Sequence, residues 1–207
     1  MLRSRLAAYG ILGFSLSIIS YFLLDNRIYH LTFSEDDATR EFWHRITEMG
    51  DSVWTLVLLV VVWTTGTVMS RVQPDKPYWN LLPRQSIYVF AAVAVPAVFT
   101  VIVKGIVGRA RPYLYDAAGP NSFDPLSYES LYASWPSGHT TTAFAFAVAV
   151  IILYPRTKYL LLPLAAMTGF SRLVLGAHYF ADVIMGITVG IIGAILVYRW
   201  LAGKLKI

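Results

Sequence analysis

Apolar positions along the chain gather into six long runs separated by polar stretches. Residues 7–24 and 52–70 carry no charge. The third run, 85–103, contains Pro96, where a kink is expected, and the fourth occupies 139–154. The fifth, 159–177, is apolar except for Arg172 and has Pro163 inside it; the sixth is 183–200. Each approaches the roughly 20 residues that a helix needs to cross a bilayer. The pattern predicts an all-α, polytopic membrane protein with six transmembrane helices, in one domain over residues 1–207. There is no internal repeat and no low-complexity segment.

Composition agrees with this pattern. Hydrophobic residues are 57% of the chain and charged residues only 14%, where soluble domains have roughly 45–50% and 25%. With no cysteine, neither a disulfide framework nor a thiolate site is available. The net charge of +5 is spread between apolar runs and forms no block, which argues against a nucleic-acid partner. Arg3 and Arg5 precede the first run, as in a signal peptide. The run is long for a signal core, however, and no small-x-small cleavage site follows in "FLLDNRIYH". A first membrane helix is the better reading.

Six spans put both termini on one side. With the termini in the cytoplasm, that side holds Arg3, Arg5, Arg71, Lys76, Arg84, Arg156, Lys158, Arg199, Lys204 and Lys206, with Asp75 its only acid. The other side holds the remaining seven basic residues. The count of Lys and Arg favours this orientation.

Within the first outer loop, Ser34 and Asp37 resemble the start of a capping box, and Glu35 and Asp36 suit a helix N-terminus. Phe42, Trp43, Ile46 and Met49 then share a helical face. This predicts a short amphipathic helix, lying on the membrane surface or packed over the other loops. In the sixth run, Gly186, Gly190 and Gly193 are expected to serve close helix packing.

A charge inside a span costs at least roughly 2.5–3.5 kcal/mol and marks a function or a buried pair. Lys104, Arg109 and Arg111 close the third run, His139 opens the fourth, Arg172 ends the fifth, and His178 and Asp182 follow it. The six-span topology brings all of these to one side. Four cations in this arrangement suit an anion with several charged oxygens, and arginine offers phosphate a planar fork of donors. Pro136, Ser137 and Gly138 at a helix start add a hydroxyl and free backbone N–H groups. His178 and Asp182, four apart, share a face if they lie on a helix. A carboxylate on one ring nitrogen leaves the other free as nucleophile or base. His139 is then placed to protonate a leaving group. Arg109, beside the better-placed Arg111, reads as a snorkelling anchor. Metal is disfavoured, since the surrounding cations repel it and few carboxylates are near.

Three segments together resemble the signature of the type 2 phosphatidic acid phosphatase superfamily. "KGIVGRARP", Lys104 to Pro112, matches Lys-x6-Arg-Pro; Pro136 to His139 matches Pro-Ser-Gly-His; "SRLVLGAHYFAD", Ser171 to Asp182, matches Ser-Arg-x5-His-x3-Asp. All three are intact and in order, and their spacing with the six runs spans nearly the whole chain. The resemblance implies a metal-independent phosphatase that passes through a phosphohistidine and needs no cofactor. It implies His178 as nucleophile, Asp182 as its orienting group and His139 as proton donor. Lys104, Arg111, Arg172, Ser137 and Gly138 would bind the phosphate, and Ser171 would play a supporting part.

Members of the family act on phosphatidic acid, phosphatidylglycerol phosphate, undecaprenyl diphosphate and lipid A phosphates. The short chain resembles bacterial members, so the expected partner is a lipid phosphate at the periplasmic face of the inner membrane. Lipid-to-lipid phosphotransfer from the same site is an alternative. The vanadate haloperoxidases that share these motifs are soluble and larger. A transporter would carry its charges deep in several spans rather than at one end of each.

Overall fold

Inside lipid a backbone must satisfy its own hydrogen-bonding groups, and an unbroken apolar run does so as a helix. The computed structural model describes residues 2–207, with side chains from Ser4 onward. In chain order the helices are α1 (Leu2–Leu23), α2 (Asp25–Thr32), α3 (Asp37–Thr47), α4 (Ser52–Val72), α5 (Pro77–Val107), α6 (Tyr115–Ala118), α7 (Gly138–Leu153), α8 (Lys158–Val174) and α9 (Phe180–Leu205). The six apolar runs fall, in order, on α1, α4, α5, α7, α8 and α9. Of these, α1, α4, α5 and α9 are long and apolar enough to cross a membrane. Helix α7 is apolar but has only 16 residues, and α8 has 17 with Arg172 in its last turn.

Helix α9 is the centre of the bundle. It packs against α1, α5 and α7, while α4 covers α5 and α8 covers α7. The contacts are close because one side is stripped to glycine. A Cβ on Gly186 would sit 2.7 Å from the Ser137 carbonyl oxygen, and one on Gly190 would sit 2.6 Å from that of Thr141. One on Gly193 would sit 2.8 Å from Pro96. The small-residue stripe thus serves close packing, as expected. Gly190→Leu is expected to force α7 and α9 apart, at a cost of about 1–3 kcal/mol, read as a lowered unfolding midpoint in detergent.

Helix boundaries depart from the apolar runs, and in each case a local polar or backbone cause is visible. Helix α5 begins at Pro77 rather than at residue 85, since proline suits the first helical turn. It ends at Gly108, which is left-handed (φ 59°) and donates its N–H to the Lys104 carbonyl at 2.9 Å. A Cβ there would strike the Asp124 carbonyl, so only glycine fits. Helix α8 stops at Val174, before residue 177, because Gly176 is left-handed (φ 64°). Helix α9 extends beyond 183–200 at both ends.

The cap of α3 is Asp36, not Ser34: the Asp36 carboxylate accepts the Thr39 N–H at 2.8 Å. Helix α3 packs on α8, with the Trp43 and Phe170 ring centroids 5.1 Å apart. Thr47 is buried, whereas Phe42 and Met49 stay 55% and 48% exposed.

Candidate active site

Three turns at one end of the bundle carry the site. The first follows α5. Backbone bonds tie residues 108–111 to the loop that precedes α7: Ala110 N–H to the Ser122 carbonyl (3.0 Å), Arg111 N–H to that of Leu131 (2.8 Å), and Ser134 N–H to that of Arg109 (3.0 Å). The 113–134 loop is therefore stitched to the Lys104–Arg111 turn.

The second turn starts α7, with Ser137 as its N-cap. The Ser137 N–H donates to the Asp182 carbonyl at 3.0 Å, and its hydroxyl, fully buried, accepts from Thr140 at 2.9 Å. Ser137 thus fastens α7 to α9. The N–H groups of Gly138 and His139 lie in the first turn of α7, where a helix has no internal acceptor. They take none from the described residues, so an anion can use them. A Cβ on Gly138 would lie 3.8 Å from Lys104 Nζ, which places that ammonium directly over the turn.

The third turn joins α8 to α9. The Arg172 carbonyl accepts the N–H groups of Ala177 (3.0 Å) and His178 (3.2 Å), folding His178 back beside the arginine's own helix end. His178 precedes α9, and Tyr179 is the N-cap. The expected helical face for His178 and Asp182 is not what unites them. Asp182, at the third helical position, folds back so that its Oδ2 accepts the Tyr179 N–H at 2.8 Å. This cap geometry leaves His178 Nδ1 3.5 Å from the same oxygen, a contact longer than a hydrogen bond. Nδ1 is buried and has no other partner. Such contacts are often long before substrate binds. Burial, and then the cations Lys104, Arg111 and Arg172, hold the His178 pKa well below the ordinary histidine value, against the pull of Asp182. The ring is therefore neutral at physiological pH.

The cations of the site fall into two kinds. Lys104 Nζ donates to the Ala133 carbonyl at 2.8 Å, and Arg172 Nη1 donates to Thr47 Oγ1 at 2.7 Å. Neither these two nor Arg111 pairs with a carboxylate among the described residues. The Nε atoms of Arg111 and Arg172 are buried without a partner. All three cations lie within electrostatic reach of both His139 and His178. Arg172 is buried and Lys104 and Arg111 are half-buried; positive charge so placed without a counterion is costly, and an anion would relieve it.

Arg109 is the other kind, and the structure overturns its reading as a snorkelling anchor. It is 2% exposed. Its Nη1 donates to Asp182 Oδ1 at 2.5 Å and its Nη2 to Asp25 Oδ2 at 2.7 Å. Burial alone would weaken its charge, but Asp182 and Asp25 overcome this and raise its pKa above the ordinary value.

Sequence reasoning missed Asp25, Ser134 and Thr47. Asp25 accepts from Arg109 and Ser134 Oγ donates to Asp182 Oδ2 at 2.5 Å, so both touch the charged network. The only signal for Asp25 was its charge, directly after an apolar run; the two threonine and serine hydroxyls gave none. No cluster of three or more His, Cys, Asp or Glu side chains able to hold a metal occurs among the described residues.

A neutral histidine backed by a carboxylate, a second histidine and three unpaired cations is a set suited to phosphoryl transfer. Comparisons point the same way. The model of the PAP2 superfamily matches residues 85–206. A lipid A 1-phosphatase of Rhizobium etli is 32% identical over 74% of this chain and 67% of its own length. One from Rhizobium johnstonii is 34% identical over 70% of this chain and 61% of its own, so the match leaves about a third of these relatives unspanned. The undecaprenyl-diphosphatase BcrC of Bacillus subtilis is 26% identical over 75% of this chain and 71% of its own. In structure, the transmembrane PAP2 type phosphatidylglycerolphosphate phosphatase from Bacillus subtilis superposes with a TM-score of 0.65 at 20% identity, covering 92% of this chain and 94% of that one. The family match over most of the chain, and a relative above 30% identity, carry one conclusion: this protein belongs to the PAP2 superfamily.

Proposed function

We propose that the protein dephosphorylates a membrane lipid phosphate through a phosphohistidine on His178. The observation that carries this reading is the trio of half-buried Lys104 and Arg111 with buried Arg172, without carboxylate partners and set around two histidines. The family's lipid phosphatases support it. In the first step His178 Nε2 attacks phosphorus while Nδ1 faces Asp182, and the P–O bond to the lipid breaks. His139 gives its proton to the departing lipid oxygen. Charge on the equatorial oxygens is met by the three cations and by the N–H groups of Gly138 and His139. Ser137 supports this cradle by anchoring the turn. In the second step His139 takes a proton from water, which attacks phosphorus and releases inorganic phosphate and free His178.

The topology that suits this chemistry has six spans, with α7 and α8 as the two short ones. Both termini are cytoplasmic, and the site opens at the periplasmic face of the inner membrane. The α3 helix rests at that face, with its exposed Phe42, and the exposed Met49 of the turn that follows it, turned to the lipid interface.

The leading substrate is a lipid A 1-phosphate, supported by the two Rhizobium relatives. Undecaprenyl diphosphate is the second reading, supported by the BcrC relative. A phosphate-release assay over lipid A 1-phosphate, undecaprenyl diphosphate, phosphatidylglycerol phosphate and phosphatidic acid in detergent tests both. The expected result is free phosphate, fastest from lipid A 1-phosphate and undiminished by a strong chelator. Label appearing in an acceptor lipid with no free phosphate would establish phosphotransfer instead; loss of activity with chelator, restored by a divalent cation, would overturn the metal-free step.

A further inference from the structure

We infer that Asp25, Arg109 and Ser134 are positioning residues, which together lock Asp182 in the one orientation that presents Oδ2 to His178 Nδ1. The inference rests on His178 as the nucleophile. It concerns residues outside the phosphate cradle.

Asp182 is fully buried, and both of its oxygens are held. Oδ1 accepts from Arg109; Oδ2 accepts from the Ser134 hydroxyl and the Tyr179 N–H. Arg109 cannot swing to release it. Its second nitrogen is held by Asp25, and its guanidinium lies over two rings, 4.8 Å from the Tyr21 centroid and 4.3 Å from that of Tyr179. Asp25 in turn is fixed by the Ala181 N–H, which donates to its Oδ1 at 2.8 Å. Ala181 immediately precedes Asp182 in the first turn of α9. The chain of contacts therefore closes on itself: α9 holds Asp25, Asp25 holds Arg109, and Arg109 holds Asp182 on α9.

A purely structural salt bridge needs only one carboxylate for one guanidinium. Here the second carboxylate comes from α2, 84 residues before Arg109, and is itself 2% exposed. Its burial pushes the Asp25 pKa up to about 6, with Arg109 opposing. With both acids ionised, above about pH 6, the bridge carries one net negative charge behind His178. Asp182 favours the imidazolium, while Lys104 on α5, Arg111 on the turn after it and Arg172 on α8 oppose it. His139 on α7 adds no fixed charge when neutral. Tyr21 on α1 and Tyr179 lie against the Arg109 guanidinium, and Tyr29 on α2 packs against Tyr179.

The sign of each substitution follows. As pH falls, Asp25 is protonated before His178 titrates, so Asp25→Asn lowers kcat by loosening Arg109 and leaves the acid limb of kcat/KM in place. Arg109→Gln removes a positive charge, and the limb moves to higher pH. Ser134→Ala removes one donor to Oδ2 with little change of shape and should fold where the charge variants do not.

The experiment measures kcat, KM and the pH profile of these three variants in detergent, with unfolding midpoints and His178→Ala alongside. The expected result is a kcat lowered about tenfold or more in each variant that folds, KM within about twofold, and an acid limb displaced to higher pH in Arg109→Gln but not in Asp25→Asn. If the charge variants do not fold, a lowered kcat at constant KM in Ser134→Ala supports the inference, and a wild-type kcat overturns it. Folded charge variants with wild-type kcat, or with losses in KM alone, also overturn it, as does an unmoved limb in Arg109→Gln. Turnover by His178→Ala would remove the nucleophile reading itself, an outcome distinct from failure of the bridge.

Discussion

His178→Ala is expected to lose at least roughly 10³-fold in turnover, on the scale of other covalent enzymes stripped of their nucleophile, while remaining folded. The side chain is buried, and its ring nitrogen Nδ1 has no hydrogen bond to lose. The substitution therefore leaves a modest cavity rather than a broken network, and the unfolding midpoint should fall by only a few degrees. Burial and three nearby cations keep the wild-type ring neutral. The acid limb of wild-type kcat/KM should accordingly lie well below the ordinary histidine range near pH 6.5, with activity flat above it until another group titrates. Rapid quenching with labelled substrate should trap an acid-labile phosphoenzyme in wild type and none in His178→Ala. Residual turnover near the wild-type value would end the nucleophile assignment.

The second large effect belongs to His139. His139→Ala should slow release of a lipid phosphate by about 10²–10⁴-fold, the usual contribution of a positioned acid or base. The loss depends on the leaving group. A lipid alkoxide needs a proton as it departs, whereas p-nitrophenolate does not. With p-nitrophenyl phosphate the first step should be nearly intact in His139→Ala, giving a burst of one nitrophenolate per protein. The second step, activation of water, should remain slow, so the phosphoenzyme should accumulate. Equal losses on both substrates, with no burst, would show that His139 does not act as the acid.

How much of this was legible in the sequence differs from element to element. The interiors of the membrane helices were legible, because twenty apolar residues leave few alternatives in lipid. Their ends were not. Helix α5 ran on to Gly108 because that residue alone tolerates a left-handed turn against Asp124, and nothing in the apolar pattern marks that contact. The three signature segments identified the cations and both histidines. Even so, the meeting of His178 with Asp182 was expected on a helix and comes instead from a cap, since the chain turns at Gly176 before α9 begins.

Arg109 was the clearest misreading. A charge at the end of an apolar run reads as an anchor reaching for water. What reversed it was Asp25, far away in sequence and at the end of another run. Long-range pairing of this kind leaves no periodicity to find. The cost of burying either charge alone was the available clue, and it applies to Asp25 and Arg109 together.

The closed circuit through Asp25 bears on what makes up the functional unit. The family signature begins after residue 85 and is complete without α1 to α4. The carboxylate that completes the grip on Asp182 is not in that part of the chain, nor is Thr47, which holds Arg172. A fragment carrying every signature residue would thus have its chemistry spelled out and its alignment missing. Under the proposed mechanism, the early helices that carry Asp25 and Thr47 belong to the catalyst as well as to the membrane anchor.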